Sequence, residues 1–316
     1  MSFEEKKVLV VGTGKSGVAA TELLLKEKVQ TVLFDANKEL DTKEFFEKNP
    51  SLNGVSLILG DLSDEQIKQF DIAVLSPGVP TDIPMVNRLR DAGVKIWGEI
   101  ELAYAFGKGR IIAITGTNGK TTTTALTGEI MADYYDDVRV VGNIGIPYTS
   151  MVQGTTEETV TVAEISSFQL ETIHEFKPHV SAILNITPDH LNRHHTMENY
   201  IKAKEDITKN QTVDDFCVLN YEDEVLRTFA EKCPAKVIFF SSRRVLDEGF
   251  YLDGEEIMYA HDNKTDRVIN VNDLNLLGRH NYENVMAACA MSVSIGVPMD
   301  KIVEVLKTFK AVEHRI

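Results

Sequence analysis

Two glycine-rich turns, each set between an apolar strand and an amphipathic helix, constrain this chain more than any other feature. Gly12-Thr-Gly14-Lys-Ser-Gly17 follows an apolar run over 7–11, and Gly116-Thr-Asn-Gly119-Lys120-Thr121-Thr122 follows another over 111–115. A strand that breaks into small residues and re-enters as a helix is the repeating unit of a parallel α/β sheet. Its helix N-terminus presents unpaired backbone N–H groups, which suit a phosphate. The first series predicts strands at 7–11, 31–35, 55–59, 71–75 and 95–97, with Ala20, Leu23 and Leu24 at helical spacing between the first two. A second series predicts strands at 111–115, 139–141, 160–164, 180–185, 216–219 and 236–240. After residue 250 the texture changes. Asp253-Gly254 between Tyr251-Leu252 and Ile257-Met258 signals a hairpin, a further strand is expected at 268–271, and helices at 281–295 and 301–309. The best boundary lies near Gly98, with a connecting helix over 100–106.

The length of 316 residues fits about two domains. With 43% apolar and 26% charged residues, disorder and collagen-like structure are excluded. Forty-eight acidic against 33 basic residues give a net charge of −15, which disfavours a nucleic-acid or membrane-surface binder. Cys217, Cys233 and Cys289 are too scattered for a disulfide framework or a CxxC metal site. The opening residues run straight into a strand without a signal-peptide apolar region, and no segment has the length of a membrane span. The expectation is a soluble, cytoplasmic protein.

The first turn, with Asp35 ending the next strand, fits a nucleotide site, though GxGxxG alone does not say which nucleotide. The second is more specific. Lys120 and Thr121 follow its second glycine as phosphate and Mg²⁺ chemistry requires, although the spacing is two residues shorter than the general P-loop pattern. Glu164 ends an apolar run, so its carboxylate is expected at the sheet's carboxyl edge, where a hard oxygen suits Mg²⁺. Ser166 or Ser167 could cap a helix there. Asp189 and His190 follow another strand end and share that edge. His190 and His194 form an HxxxH pair, but without the Glu of HExxH a zinc site is disfavoured. Taken on its own, Lys204 reads by default as a surface lysine. Asn281 is a candidate helix cap, and with Asn284 three residues on it could meet a base edge. Rival readings are an NAD-dependent oxidoreductase built on the first turn and a non-catalytic nucleotide-binding module.

Taken together, these motifs resemble the Mur ligase family, the ATP-dependent amide ligases of peptidoglycan precursor synthesis. The resemblance runs from Val8 to Arg315. Its discriminating strings are GTGKSG, Ser76-Pro-Gly78-Val, Gly142-Asn143-Ile-Gly145 and Glu164-Ile-Ser-Ser-Phe-Gln-Leu-Glu171. Within the family they point to the branch that adds D-glutamate to UDP-N-acetylmuramoyl-L-alanine through an acyl phosphate. The resemblance implies a Rossmann-like parallel-sheet domain over 1–98 that holds the UDP substrate. A P-loop ATPase-type α/β domain with a small β extension follows over 99–311. Residues 312–316 would begin a hinge into a third domain expected to be missing here, which would leave the chain a poor ligase by itself. The substrate residues implied are Gly14, Lys15, Ser16, Asp35, Gly78, Asn143 and His190. ATP would contact Gly116, Thr117, Asn118, Gly119, Lys120, Thr121, Thr122, Asn281, Asn284 and Arg315. Two Mg²⁺ ions would be held by Thr121, Glu164, His190 and Lys204, the last carbamylated. Lys120, Glu164, His190 and Lys204 would be the catalytic set. The partners implied are UDP-N-acetylmuramoyl-L-alanine, D-glutamate and ATP, taken by a monomer.

Overall fold

In the computed structural model, which describes residues 3–143 and 145–310, the first series forms a five-stranded parallel sheet. Its strands are β1 (Lys7–Val11), β2 (Gln30–Asp35), β3 (Ser56–Leu59), β4 (Ile72–Leu75) and β5 (Lys95–Gly98), in the order β3-β2-β1-β4-β5. The helices are α1 (Lys15–Lys26), α2 (Thr42–Lys48), α3 (Asp64–Ile67), α4 (Pro84–Asp91) and α5 (Glu99–Phe106). The strand order reverses at β1, so the Gly12–Gly17 turn leaves the sheet at its topological switch point, where α/β sheets bind ligands. Gly17 is required there by close packing, since a Cβ on it would lie 1.8 Å from the Gly12 carbonyl oxygen.

This first unit comprises 1–108 and two excursions from the later chain, 145–155 and 168–176. Helix α5, expected as a connector, lies inside it and holds both excursions through buried carboxylates. Glu99 accepts hydrogen bonds from the Thr149 backbone N–H (2.6 Å) and hydroxyl (2.8 Å). Burial pushes its carboxyl above the usual range despite those bonds. Glu101 accepts three backbone N–H groups, from His174 (2.8 Å), Glu175 (2.7 Å) and Phe176 (3.1 Å). Charge-assisted bonds of this kind compensate the desolvation of a buried carboxylate.

The second unit carries a nine-stranded sheet. Its strands are β6 (Arg110–Thr115), β7 (Val138–Gly142), β8 (Val160–Glu164), β9 (Val180–Ile183), β10 (Phe216–Asn220), β11 (Lys236–Ser241), β12 (Gly249–Asp253), β13 (Glu256–His261) and β14 (Lys264–Asn270). The order is β14-β13-β12-β11-β10-β9-β6-β8-β7. The pairs from β7 to β12 are parallel, and β12-β13-β14 form an antiparallel extension turning at Asp253-Gly254. The helices after α5 are α6 (Lys120–Tyr134), α7 (Ser167–Leu170), which leads into the 168–176 excursion of the first unit, α8 (Leu191–His194), α9 (Met197–Glu205), α10 (Glu224–Ala230), α11 (Arg279–Ser294) and α12 (Met299–Thr308), all but α7 in the second unit. Ile112, Ile114, Val160 and Val162 face Leu126 and Ile130 of α6 and Val285 and Met286 of α11 in one buried cluster. Each such aliphatic side chain contributes about 1.5–3 kcal/mol by leaving water. Burial on both sheet faces is why these strands read as continuous apolar runs.

Two expectations need correction. Strand β9 stops at Ile183, short of the anticipated 185, because the side chain of Asn185 is drawn into the neighbouring turn. Asn281 does not cap its helix: Gly278, at φ 96°, is the N-cap of α11, and Asn281 lies in the first turn. Residues 311–316, including the anticipated hinge, lie outside the described residues. Among the described residues, no helix is long and apolar enough to cross a membrane.

Replacing Glu101 by Ala would leave three backbone N–H groups without their carboxylate. We expect a loss of about 2–4 kcal/mol from the first unit, read as a lower midpoint in urea with accelerated amide exchange at His174–Phe176.

Candidate functional site

The carboxyl edge of the second sheet gathers the phosphate-type turn and the loops that follow its neighbours. Strand β6 lies between β8 and β9, so the Gly116 turn meets the chain after Glu164 and the chain after Ile183. Gly119 is the N-cap of α6 in the left-handed region (φ 85°), and a Cβ on it would come within 2.4 Å of Asn284 Oδ1. Only glycine satisfies both conditions. The turn is braced from outside. The Asn118 backbone N–H donates to Asn185 Oδ1 (2.8 Å), Asn185 Nδ2 donates to the Asn118 carbonyl (3.0 Å), and the Thr117 backbone N–H donates to the Asn185 carbonyl (3.0 Å). The Thr117 hydroxyl donates to the Thr187 carbonyl (3.1 Å) and lies 3.0 Å from Tyr200 Oη.

Two lysine amines converge on one oxygen of this turn. Lys120 Nζ donates to the carbonyls of Gly116 (2.9 Å) and Thr117 (3.0 Å), and Lys204 Nζ, from α9, donates to the same Gly116 carbonyl (2.8 Å). Lys204 is 2% exposed, so the default reading of a surface lysine is wrong; its amine also lies 4.8 Å from the centre of the Tyr200 ring. Burial, and then the neighbouring Lys120 charge, push the Lys204 amine down to about 7, with Asp189 opposing. Burial also lowers Lys120, against the pull of Glu164 and Asp189. A buried and a half-buried like charge on a single carbonyl make a site that lacks negative charge.

The acidic side of the edge is Glu164, 2% exposed at the end of β8. The Thr121 hydroxyl donates to its Oε2 (2.9 Å) and Asn143 Nδ2 to its Oε1 (3.3 Å). This carboxylate beside a hydroxyl offers hard oxygens that fit Mg²⁺. A bare amine such as Lys204 does not fit as a ligand, whereas its carbamate would. Among the described residues, no three His, Cys, Asp or Glu side chains cluster as a metal cage. His190, at φ 50°, sits beside Asp189, with Nε2 3.5 Å from Oδ2. His194 is buried, its Nε2 2.9 Å from Ser167 Oγ. Asn284, which lies beside Gly119, donates through Nδ2 to Asn281 Oδ1 (3.3 Å). Thr122 follows Thr121 in the first turn of α6. Arg315 lies outside the described residues, as does the Ile144 of the Gly142–Gly145 string.

In the first unit, the turn after β1 holds Asp35. Its Oδ2 accepts from the Thr13 hydroxyl (2.6 Å) and backbone N–H (3.0 Å), and its Oδ1 from the Asn37 N–H (2.9 Å). Burial works to raise this carboxyl, and the bonds from Thr13 and Asn37 outweigh it, leaving it below its usual value. Gly14 is the N-cap of α1, and Lys15 and Ser16 are its first two residues; Gly78 is exposed after β4. Sequence reasoning missed Asn185 and Tyr200 as parts of the second site. The signal available for Tyr200 was its place four residues before Lys204, on the same helix face.

Comparison with known proteins bears on the family and the fold. Residues 114–292 match the Mur ligase middle domain, and residues 6–98 match the Mur ligase MurD-like N-terminal domain. The chain is 58% identical over 316 residues to UDP-N-acetylmuramoylalanine–D-glutamate ligase of Lachnoclostridium phytofermentans, spanning all of this chain and 70% of that protein. It is 47% identical to the enzyme of that name from Clostridioides difficile, with the same coverage. Among solved structures, it is similar in fold to the UDP-N-acetylmuramate:L-alanyl-γ-D-glutamyl-meso-diaminopimelate ligase of Neisseria meningitides. There the TM-score is 0.64 at 16% identity, over 98% of this chain and 99% of that one. It is also similar to the MurF ligase of Thermotoga maritima in complex with ADP, with TM-score 0.52 at 16% identity over 98% and 65%.

The depressed Lys204 amine has a consequence for stability. The folded form loses its proton near pH 7 while the unfolded chain keeps it to the ordinary lysine value of 10.5, so the unfolded state binds more protons in between. Stability therefore gains with rising pH from about 7 to about 10 at this site. Lys204→Met should remove that gain, seen as a flatter pH dependence of the urea midpoint across this window than in the unaltered protein.

Proposed function

This chain belongs to the Mur ligase family, and we propose that it is the ATP-dependent ligase joining D-glutamate to UDP-N-acetylmuramoyl-L-alanine in peptidoglycan precursor synthesis. The observation that carries the reading is the convergence of Lys120, Lys204, Thr121 and Glu164 around the Gly116 turn. An NAD-dependent oxidoreductase has no use for such a site.

The chemistry follows from the difficulty of making an amide in water. A carboxylate is a poor electrophile, so the γ-phosphoryl group of ATP passes to the alanine carboxylate of the substrate, giving an acyl phosphate and ADP. The D-glutamate amine then attacks the acyl carbon, and the tetrahedral intermediate expels inorganic phosphate. The backbone N–H groups of Gly116–Thr122 cradle the β- and γ-phosphates, and Lys120 swings from the loop carbonyls to the transferring group and stabilises its charge. Asn281 and Asn284 meet the adenine edge, with Arg315 near the ribose. Asp35 with Gly14, Lys15 and Ser16 holds the uridine end of the substrate. Gly78 and Asn143 take its diphosphate and sugar region, and His190 lies near its reacting carboxylate.

Thr121, Glu164, His190 and Lys204 would hold two Mg²⁺ ions, which when bound supply charge neutralisation for the phosphoryl oxygens. Lys204 joins that set as a carbamate. Its neutral amine adds to the carbon of CO₂ and loses a proton, turning a buried cation into an anionic oxygen donor. Geometry supports this, since the amine is buried against a second lysine on one carbonyl oxygen. In this reading the chain acts as a monomer in the cytoplasm, where ATP and UDP-linked precursors are found. Its net charge of −15 disfavours nucleic-acid and membrane-surface partners.

The test is phosphate release from ATP with UDP-N-acetylmuramoyl-L-alanine, comparing D-glutamate with L-glutamate and other amino acids. Release should depend on D-glutamate and fall at least about 100-fold in Lys120→Ala, with the thermal midpoint little changed. Equal rates with every amino acid would refute the acceptor assignment, and full activity in Lys120→Ala would refute the phosphate-loop assignment. For Lys204, ¹³C-bicarbonate should give a carbamate carbon resonance that Lys204→Ala abolishes; a spectrum identical in the two proteins would exclude the modification.

A further inference from the structure

Two of the three cysteines lie together, away from the nucleotide edge. Cys217 is the second residue of β10 and fully buried, while Cys233 follows α10 and is partly exposed. Burial, and then the neighbouring Cys233 thiol, push the Cys217 thiol up, so the two groups lie within interaction range. The topology brings them together. Strand β10 runs into α10, and the chain turns after α10 to enter β11, which pairs beside β10 with Phe216 opposite Lys236. Cys233 therefore returns to the end of β10 at which Cys217 sits. The third cysteine, Cys289, is sealed in the apolar cluster under α11, where burial pushes its thiol up to about 12.

We propose that Cys217 and Cys233 are a reversible thiol–disulfide pair, with Cys233 the attacking and Cys217 the resolving sulfur. The co-reactant is a small-molecule disulfide of the glutathione type. The Cys233 thiolate attacks one sulfur of the oxidant, breaking its S–S bond and expelling one thiolate, which takes up the Cys233 proton. The Cys217 thiolate then attacks the Cys233 sulfur of the mixed disulfide and expels the second thiolate, which takes up the Cys217 proton. Two protein thiols are oxidised to one disulfide, and one small disulfide is reduced to two thiols. The exposure difference sets the order, since a small disulfide reaches Cys233 before Cys217. The bond would lock the turn that carries Lys232, whose amine pairs with Glu205 at 3.0 Å, the residue next to Lys204 on α9.

The purified protein is incubated with oxidised glutathione, its remaining thiols are alkylated, and its peptides are mapped by mass spectrometry. The expected result is a Cys217–Cys233 peptide, with Cys289 alkylated as a free thiol. Tm should rise by about 5 °C, and dithiothreitol should return it. Cys217→Ser should stop at a single glutathione adduct on Cys233, and Cys233→Ser should leave Cys217 unmodified. Three alkylated cysteines after oxidation, or a stable adduct on Cys233 beside a free Cys217 in the unaltered protein, would overturn the proposal. That readout needs no variant to fold.

Discussion

The Gly116 carbonyl oxygen is the point on which the second unit turns. Two lysine amines donate to it at 2.9 and 2.8 Å, one from the helix that the turn opens and one from α9. Such an arrangement is unfavourable by itself, because two cations share a poorly hydrated place and each is pushed toward losing its proton. It is held by the rest of the fold: Asn185 and Thr187 fasten the turn from one side, and Tyr200 lies against both Thr117 and Lys204. A site built this way is matched to anions. Triphosphate charge, and a carbamate on Lys204, would relieve the repulsion that the bare protein carries.

Carboxylates handle burial differently in the two units. In the first, Glu101 accepts three backbone N–H groups and Glu99 a backbone N–H and a hydroxyl of one residue, and both hold chain excursions in place. In the second, Glu164 is equally buried, yet its partners are one hydroxyl and one side-chain amide. Those partners leave acceptor capacity on both oxygens. The difference in partners separates a carboxylate that fastens backbone from one that can still bind a cation.

Most of the fold was readable because the signals that specify it are local. The strands showed as short apolar runs, and the Asp253-Gly254 hairpin by its turn chemistry. Where local reasoning failed, a distant partner had intervened. Strand β9 was read two residues too long because Asn185 has apolar neighbours on the strand side, and nothing nearby reveals that its amide bonds to Asn118, 67 residues away. Asn281 looks like a helix cap by type, but a left-handed glycine three positions earlier had already begun the helix.

By itself the sequence determined the two strand–turn–helix units, the Lys120-Thr121 pair after the second glycine and the position of Glu164 at a strand end. Each is set by residues within about one turn of chain, where hydrophobic period and glycine conformation act directly. Tertiary structure alone decided that Lys204 is buried and meets Gly116, 88 residues away. It likewise decided that Glu101 is a backbone clamp and that Cys233 returns to the end of β10 at which Cys217 sits. Burial and the charge state that follows from it depend on what packs against a side chain, and that neighbour arrives from another part of the chain.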